Sequence, residues 1–369
     1  MGAIKVCCGL QDLPAAQVLL YASYSGHRAC LERAHVACGE HCQWGKIIAE
    51  TAGRGGHLDC LVYAREHGCP WDERTPAAAA KNGHLDCLMY ALEHGCPWDV
   101  TTLEGAAYNG HLDCLQYAHV HGGRWDKRIT AAAARGGRRD CLQYAHTQGC
   151  PWDEETAAEA ASGHLVCLQY AHEQGCPWDA SATAAAAQHG HLDCLQYACE
   201  QGCPWTTAAL TNAAYNGHLD CLMFVCQQGG RGDKRVTAAA AEKGHLACLQ
   251  YAHTQGCPWD ENAPASAARN GHLACLRYAH EQGCPWDART PAEAACHGHL
   301  ACLQYAHTQG CPWDKNAPAS AARNGHLACL KYAHEQGCPW DEPEVAAYYG
   351  RLACLQYVYE QQKQLSAGI

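Results

Sequence analysis

Apolar and polar positions recur along this chain in one phrase, which is clearest over residues 269–295, RNGHLACLRYAHEQGCPWDARTPAEAA. Plotted at 100° per residue, the apolar side chains of its first half share one arc of a helix: Leu273, Cys275, Leu276 and Ala279. Polar residues fall largely on the opposite arc. The pattern predicts an amphipathic helix from about His272 to Gln282, which Gly283 ends in a left-handed conformation.

A second, shorter helix is predicted from the end of the same phrase. Thr290 is expected to cap it, with Pro291 at the first helical position, where a missing N–H costs least. Several alanines follow, and the helix stops at the Gly of the next turn, usually in an Asn-Gly pair such as Asn270-Gly271. Helices this rich in alanine can pack closely, at about 8 to 10 Å between axes.

The phrase repeats along almost the whole chain. Its first Cys recurs every 27 residues from Cys60 to Cys329, except for one step of 26 between Cys141 and Cys167. A period of this size is typical of solenoids, and each unit holds two helix starts without an alternating apolar run. We predict an all-α, elongated α-solenoid of about a dozen stacked helix-turn-helix units. Residues 1–44 and 342–369 are interpreted as atypical capping units around an array over 45–341.

Composition and charge narrow the functional classes. The formal net charge is −11 and the pI is about 6.1, which argues against general binding to nucleic acid or anionic membranes. No apolar run reaches the roughly 18 residues needed to span a bilayer, and the first ten residues lack a signal peptide pattern. We expect no membrane insertion and an intracellular, cytoplasmic location.

The chain has 29 cysteines, but it is too long for this number to indicate the disulfide framework of a small secreted protein. Cys275 and Cys284 are nine residues apart, which puts them half a turn out of phase on a helix. Reduced cysteines that fill the core are the simplest interpretation. We expect no disulfide scaffold.

Cysteine and histidine also suggest a metal site, because each unit offers a series such as His272, Cys275, His280 and Cys284. One ion cannot collect four ligands spread over some three helical turns. Units also lose members of the series independently: for example, His119 persists where Gly123 replaces the later Cys. We expect no metal and no cofactor, with a cysteine- and histidine-rich zinc-binding or redox-responsive protein as the alternative function.

Two further patterns have plain structural interpretations. The Trp that follows Pro in most units, such as Trp286, is expected to cover helix ends with its N–H on a backbone carbonyl, although aromatic rows can also bind bases or peptides. Cys296-His297, where other units have Arg-Asn or Lys-Asn, is the nearest candidate for thiol chemistry, and surface drift explains it more simply. We expect no enzyme.

Particular residues carry a family resemblance: Thr75-Pro76, Ala79-Ala80, Asn82-Gly83-His84-Leu85 and Gly95. In this order they resemble the ankyrin repeat, over roughly residues 14–360. The units are about six residues shorter than the usual 33 of that family, and CPWD replaces the finger. The resemblance implies stacked ankyrin-like repeats without long β-hairpin fingers, which bind other proteins through a concave face.

Residues between the Trp and the short helix vary from unit to unit. A surface fitted to one partner would show this variation, and random drift at solvated positions would show it too. The candidate partner-binding residues are Glu73, Arg74, Lys127, Arg128, Glu154, Glu155, Lys234, Arg235, Glu261 and Lys315. We expect an interaction scaffold or a structural subunit of a larger multi-subunit assembly. An acidic segment of the partner is expected to touch Lys127-Arg128 and Lys234-Arg235.

Overall fold

The computed structural model describes residues 15–38, 45–339 and 351–366, together with their side chains except those of 15, 362 and 364–366. These residues form 25 α-helices and no β-strand. In chain order the helices are α1 (Ala15–Ser25), α2 (Arg28–Cys38), α3 (Lys46–Gly55), α4 (Leu58–Glu66), α5 (Arg74–Lys81), α6 (Leu85–Glu93), α7 (Val100–Asn109), α8 (Leu112–Val120), α9 (Lys127–Arg135), α10 (Arg139–Thr147), α11 (Glu154–Ala161), α12 (Leu165–Glu173), α13 (Ala180–His189), α14 (Leu192–Glu200), α15 (Thr207–Asn216), α16 (Leu219–Gln227), α17 (Lys234–Lys243), α18 (Leu246–Thr254), α19 (Ala263–Arg269), α20 (Leu273–Glu281), α21 (Arg289–Cys296), α22 (Leu300–Thr308), α23 (Asn316–Asn324), α24 (Leu327–Glu335) and α25 (Leu352–Ser366).

Packing divides the chain into two compact parts, over residues 1–182 and 183–369. In the N-terminal part, α1, α3, α5, α7, α9 and α11 pack side by side in one layer, the odd-helix layer. The even-numbered helices α2 to α12 form a second layer, the even-helix layer, and each odd helix also packs on the even helix that follows it. The C-terminal part repeats this arrangement, with α15 to α23 in its odd-helix layer and α14 to α24 in its even-helix layer. The predicted all-α stack of helix-turn-helix units is confirmed.

The core consists of the small and apolar residues that the phrase repeats. Cys275, Leu276 and Ala279 on α20 are fully buried, as are Ala294 and Ala295 on α21. Gly283 has φ near 80°, so the left-handed end predicted for the longer helix is also confirmed. Alanines on the odd helices leave room for close helix contact, while Leu and Cys fill the space between the layers.

The start of the shorter helix differs from its prediction. Thr290 lies inside α21 and is buried, and the carboxylate of Asp287 accepts the Arg289 N–H at 3.0 Å. Asp99, Asp126, Asp153 and Asp233 cap their helices in the same way, and Thr206 replaces an Asp in this role. The Asp that precedes the short helix therefore accepts a first-turn N–H, in place of the predicted Thr290. Pro291 is the third residue of α21, two positions later than predicted, and is tolerated there because the first four N–H groups of a helix lack helical partners.

The capping units stay predictions. Residues 1–14, 39–44, 340–350 and 367–369 lie outside the described residues. The predicted boundaries at 44 and 341 fall in these ranges. Among the helices that are described, none combines the length and apolar character that crossing a membrane requires.

Candidate functional site: the outer surface of the odd helices

A ladder of turn residues fixes how successive units stack. The Gly that ends an odd helix packs against the His one unit later: a Cβ on Gly217 would lie only 2.5 Å from His245 Nδ1. His57 Nε2 lies 2.9 Å from the carbonyl oxygen of Tyr24, to which it donates. Arg138 takes the place of a His and donates its Nε to the Tyr108 carbonyl at 3.3 Å. The histidine of the turn therefore connects units through packing and hydrogen bonding.

The environment of His272 shows the same role. Its pKa lies below the ordinary 6.5, first because of burial and then because His245 and His299 stand in the same ladder. A hydrogen bond to the Glu242 backbone opposes this shift without cancelling it. The fold therefore favours the neutral imidazole.

A second ladder runs through the even-helix layer. His280 stacks on Trp286 of its own unit at 3.9 Å between ring centroids, and its Nδ1 lies 3.0 Å from the Tyr305 hydroxyl of the next unit. Trp286 in turn meets the edge of Tyr305 at 6.2 Å. The Trp series is thus used in packing between units, which leaves little of each ring face for stacking a base.

One detail of the Trp prediction is wrong. The indole nitrogens of Trp125 and Trp259 are buried, and no hydrogen-bond acceptor contacts them. Each ring is oriented by stacking on its neighbouring imidazole, with centroids 4.2 Å apart for His119 and Trp125. For Trp125 and Trp259, ring packing therefore decides the orientation of the indole, and the N–H does not reach a backbone carbonyl.

The connecting CPWD cysteines also join units. Cys284 Sγ lies 3.5 Å from the carbonyl oxygen of Asp260 in the preceding unit, and Cys311 Sγ lies 3.3 Å from that of Asp287. Burial raises the pKa of both thiols to about 12. They act as buried, protonated thiols that donate weakly to the backbone.

The repeated His-Cys series does not form a metal site. Burial raises the pKa of Cys275 to about 11, Cys284 contacts the backbone of another unit, and His280 is held between Trp286 and Tyr305. Among the described residues, the one group of three or more potential ligands brought together is a different set, Glu293, Cys296 and His297. The zinc-binding alternative for the repeat series has no support in the structure.

All ten candidate partner-binding residues are exposed at the start of an odd helix or just before it. Their basic members are paired within the protein. Lys127 Nζ lies 2.6 Å from Asp153 and Lys234 Nζ lies 3.5 Å from Asp260, each in the next unit, while Arg128 and Arg235 contact Asp126 and Asp233 of their own units. Arg74 pairs with Asp72 at 2.9 Å and lowers the pKa of that carboxyl.

Hydrogen bonds to the cap strengthen this pairing. The pKa of Asp126 is lowered first by the Arg128 backbone N–H and then by its side chain, and the pKa of Asp233 is lowered first by the side chain of Arg235. The sequence predicts that an acidic partner segment touches the positive pairs Lys127-Arg128 and Lys234-Arg235. The structure places aspartates beside them, so their field at a distance is weaker than the sequence suggests.

A feature missed by the sequence analysis is an open groove of about 680 Å³ on α3, α5, α7 and α9. Its floor contains Ala78, Gly105 and Ala132, and its rim includes Lys81, Tyr108 and Arg135. Gly105 stands where the neighbouring units have Ala, and a Cβ added there would approach Lys81 Cβ to 3.3 Å. The missing methyl group deepens the groove at its centre.

The rim residues share one position in the repeat, two residues before the turn Gly. In successive units this position holds Arg54, Lys81, Tyr108 and Arg135, all of them exposed. The C-terminal part has a smaller groove of about 320 Å³ around the equivalent Gln188 and Tyr215. Aligning the units on the turn Gly would have shown this variable column, because the buried positions around it scarcely change.

Residues 77–119 match a known protein family, which is described as ankyrin repeats (many copies). The matched segment includes α6 and extends to near the end of α8. The unit that matches is the one that recurs along the chain. The chain is an ankyrin-like repeat protein. No curated protein matches it.

Two solved structures show limited likeness to this ankyrin-like chain. The human ASB11 ankyrin repeat domain has a TM-score of 0.38 at 16% identity, over 42% of this chain and 84% of that one. The pentatricopeptide repeat protein PPR10, in complex with an 18-nt psaJ RNA element, has a TM-score of 0.40 at 12% identity, over 95% of this chain and 64% of that one. At these scores neither likeness carries a functional argument.

Proposed function

We propose that this ankyrin-like repeat protein is an interaction scaffold, alone or as a subunit of a larger assembly, and that it binds a partner protein through its odd helices. The observation that carries the proposal is a coincidence of two properties. In each part of the chain a groove lies on the odd helices, and the exposed residues that line it are those that vary between otherwise uniform units.

The groove of the N-terminal part has the chemistry of a protein-binding surface. Ala78, Gly105 and Ala132 give a floor of small side chains that a partner's backbone or side chains can approach closely. Tyr108 is 43% exposed at the rim, and tyrosine is enriched among the residues that dominate interface energies. Lys81 and Arg135 add positive charge beside it.

These charges favour an acidic partner segment. Arg135 forms an ion pair with Glu159. Lys81 is exposed and has no ion pair among the described residues. A rim charge of this kind speeds association and fixes register more than it adds affinity. Lys127-Arg128 and Lys234-Arg235 are proposed as secondary contacts, weakened by their own aspartates.

A matched pair of charge reversals tests the proposal. Lys81→Glu changes the odd-helix groove, and Arg139→Glu makes the same kind of charge change on α10 of the even-helix layer. With a partner isolated from the native source, Lys81→Glu should slow association and flatten its salt dependence, while Arg139→Glu leaves both nearly unchanged. If Arg139→Glu alone slows association, or if the two variants behave alike, the odd-helix site is wrong. Circular dichroism confirms that both variants are folded.

A further inference from the structure

One unit breaks the repeat with a set of residues suited to a metal ion. Glu293 and Cys296 lie in the last turns of α21 and His297 is the residue that follows its end, so the three stand at positions i, i+3 and i+4 and face the same side. One donor atom from each lies within 4.8 Å of the others. Glu293 and Cys296 are half-buried and His297 is exposed.

The set is absent from the neighbouring units. At the same positions the preceding unit has Ser266, Arg269 and Asn270, and the following unit has Ser320, Arg323 and Asn324. All three ligand types thus appear together at one place in the C-terminal part. Packing of the array does not require them, because the units on either side fold the same helix without them.

Cys296 also differs from the cysteines of the core. Cys275 and Cys302 are buried, and burial raises the pKa of both to about 11, so neither offers a thiolate at neutral pH. The Cys296 sulfur lies at the surface of the odd helices, 3.3 Å from the Asn324 side-chain amide, which donates to it. An amide donor stabilises negative charge on sulfur.

We propose that Glu293, Cys296 and His297 bind a divalent transition-metal ion of the zinc type, with water as the fourth ligand. Thiolate, imidazole and carboxylate are the three protein ligand types of zinc, and three of them with one open position make a complete tetrahedral shell. Binding releases the thiol proton to solvent, and the two negative ligands then balance the charge of the ion.

The distances are compatible with binding after small rotations. Ligand atoms around tetrahedral zinc stand about 3.5 Å apart, given bonds of about 2.0 to 2.3 Å. His297 Nδ1 lies 3.6 Å from Glu293 Oε2 and donates to the Glu293 carbonyl oxygen at 3.1 Å, so the imidazole must release this hydrogen bond, or turn, before a ring nitrogen binds an ion. Arg269 donates to both Glu293 oxygens, at 2.9 and 3.3 Å, and a carboxylate has lone pairs enough to accept from Arg269 and bind an ion. Arg269 then holds the carboxylate in place, as outer-shell partners do at metal sites.

Titration of the full-length reduced protein with Co²⁺ tests the site, because cobalt bound to thiolate gives a charge-transfer absorption that cobalt in water lacks. We expect this absorption to saturate at one equivalent and Zn²⁺ to displace it. Cys296→Arg should abolish it, and Glu293→Ser or His297→Asn should weaken Co²⁺ binding about tenfold or more. Each replacement is the residue that the adjacent units carry at that position, so the fold should be kept.

Cys199→Ala is the matched control, since Cys199 is half-buried on an even helix and lies outside the set. It should bind Co²⁺ as the unchanged protein does. The proposal is overturned if the unchanged protein shows no thiolate absorption even when Co²⁺ is added well beyond one equivalent. It is also overturned if the Cys296→Arg variant retains the thiolate absorption. This test needs no partner protein, so it stands or falls separately from the proposed scaffold function.

Discussion

Gly217 carries two constraints in one residue, a left-handed backbone with φ near 80° and an imidazole packed against its Cα. Gly256 shares the first constraint, with φ near 81°, but no atom lies within 4 Å of the place where its Cβ would be. Both glycines belong to the C-terminal part of the chain. Comparing the same substitution at the two glycines therefore separates the free-energy cost of the backbone conformation from the free-energy cost of the contact with the imidazole.

Gly256→Ala should lower the free energy of unfolding by about 1 to 2 kcal/mol, the cost of placing an L side chain in the left-handed region. Gly217→Ala should cost about 1 to 3 kcal/mol more, because its methyl group would displace His245. Urea denaturation of the two variants checks the difference. Equal losses would mean that the Gly-His ladder does not bear on stability.

His272 makes stability depend on pH. Its pKa is lower in the folded protein than the ordinary 6.5, so its contribution to stability is complete above pH 6.5 and is lost as the pH falls through the folded value. Arg138 makes the same carbonyl contact from the equivalent position without titrating in this range. His272→Arg should therefore lose less stability between pH 7.5 and pH 5 than the unchanged protein, as measured by urea denaturation at each pH. A steeper loss in the variant would contradict the assigned role of the ladder.

Individual side-chain roles were predictable where they follow from local pattern. The burial of Cys275 comes from its place on the apolar arc. The acceptor of Cys284 and the tilt of Trp259 were not predictable, since both depend on atoms one unit away.

At the scale of the helix, an Asp just before the short helix accepts a first-turn N–H in most units. Asp99 accepts the Thr101 N–H at 2.9 Å and is exposed, so its side chain contributes mainly as a cap. Thr206 shows that a hydroxyl can serve in the same place.

Asp99→Ala should lower the free energy of unfolding by about 1 kcal/mol, because one N-terminal N–H of α7 loses its acceptor. Asp99→Thr should retain most of the stability, as Thr206 does in its own unit. Thermal denaturation of both variants makes the comparison. If alanine and threonine cost the same, capping by the CPWD aspartate contributes little.

The number and type of helices were predictable because Gly, Pro and Ala recur in the same order in each unit. Gly and Pro mark the helix ends, and Ala fills the shorter helix. The cap was misassigned because Asp287 and Thr290 are both good caps, and Thr-Pro resembled a helix start. The groove could not be predicted from one helix, since its floor and rim come from α3, α5, α7 and α9 together. Two of its features, Gly105 and Tyr108, stand out only after the units are aligned.

At the scale of the whole molecule, many similar contacts between successive units stabilise the described helices. The thiols of Cys221, Cys248 and Cys329 are buried, and burial raises the pKa of each to about 11. Protonated, buried thiols neither oxidise nor bind metal readily.

In the native reduced protein, a thiol-alkylating reagent should label Cys296 well before Cys302, and labelling of Cys302 should require unfolding. Chelation should lower the melting temperature only by the stabilisation that one bound ion gives, without collapse of the fold, because the proposed metal ligands occupy one end of one helix. Peptide mass spectrometry and a melting curve measure the two effects. Rapid labelling of Cys302, or collapse on chelation, would show that cysteine has a role beyond filling the core.

The proposed function places a partner protein against the odd helices. A photoreactive phenylalanine analogue placed at position 108, on α7, and separately at 143, on α10, tests it in the presence of the partner isolated from the native source. We predict a protein cross-link from position 108 and none from 143. A cross-link from 143 alone, equal cross-links from both positions, or a cross-link to RNA in place of protein would contradict the account.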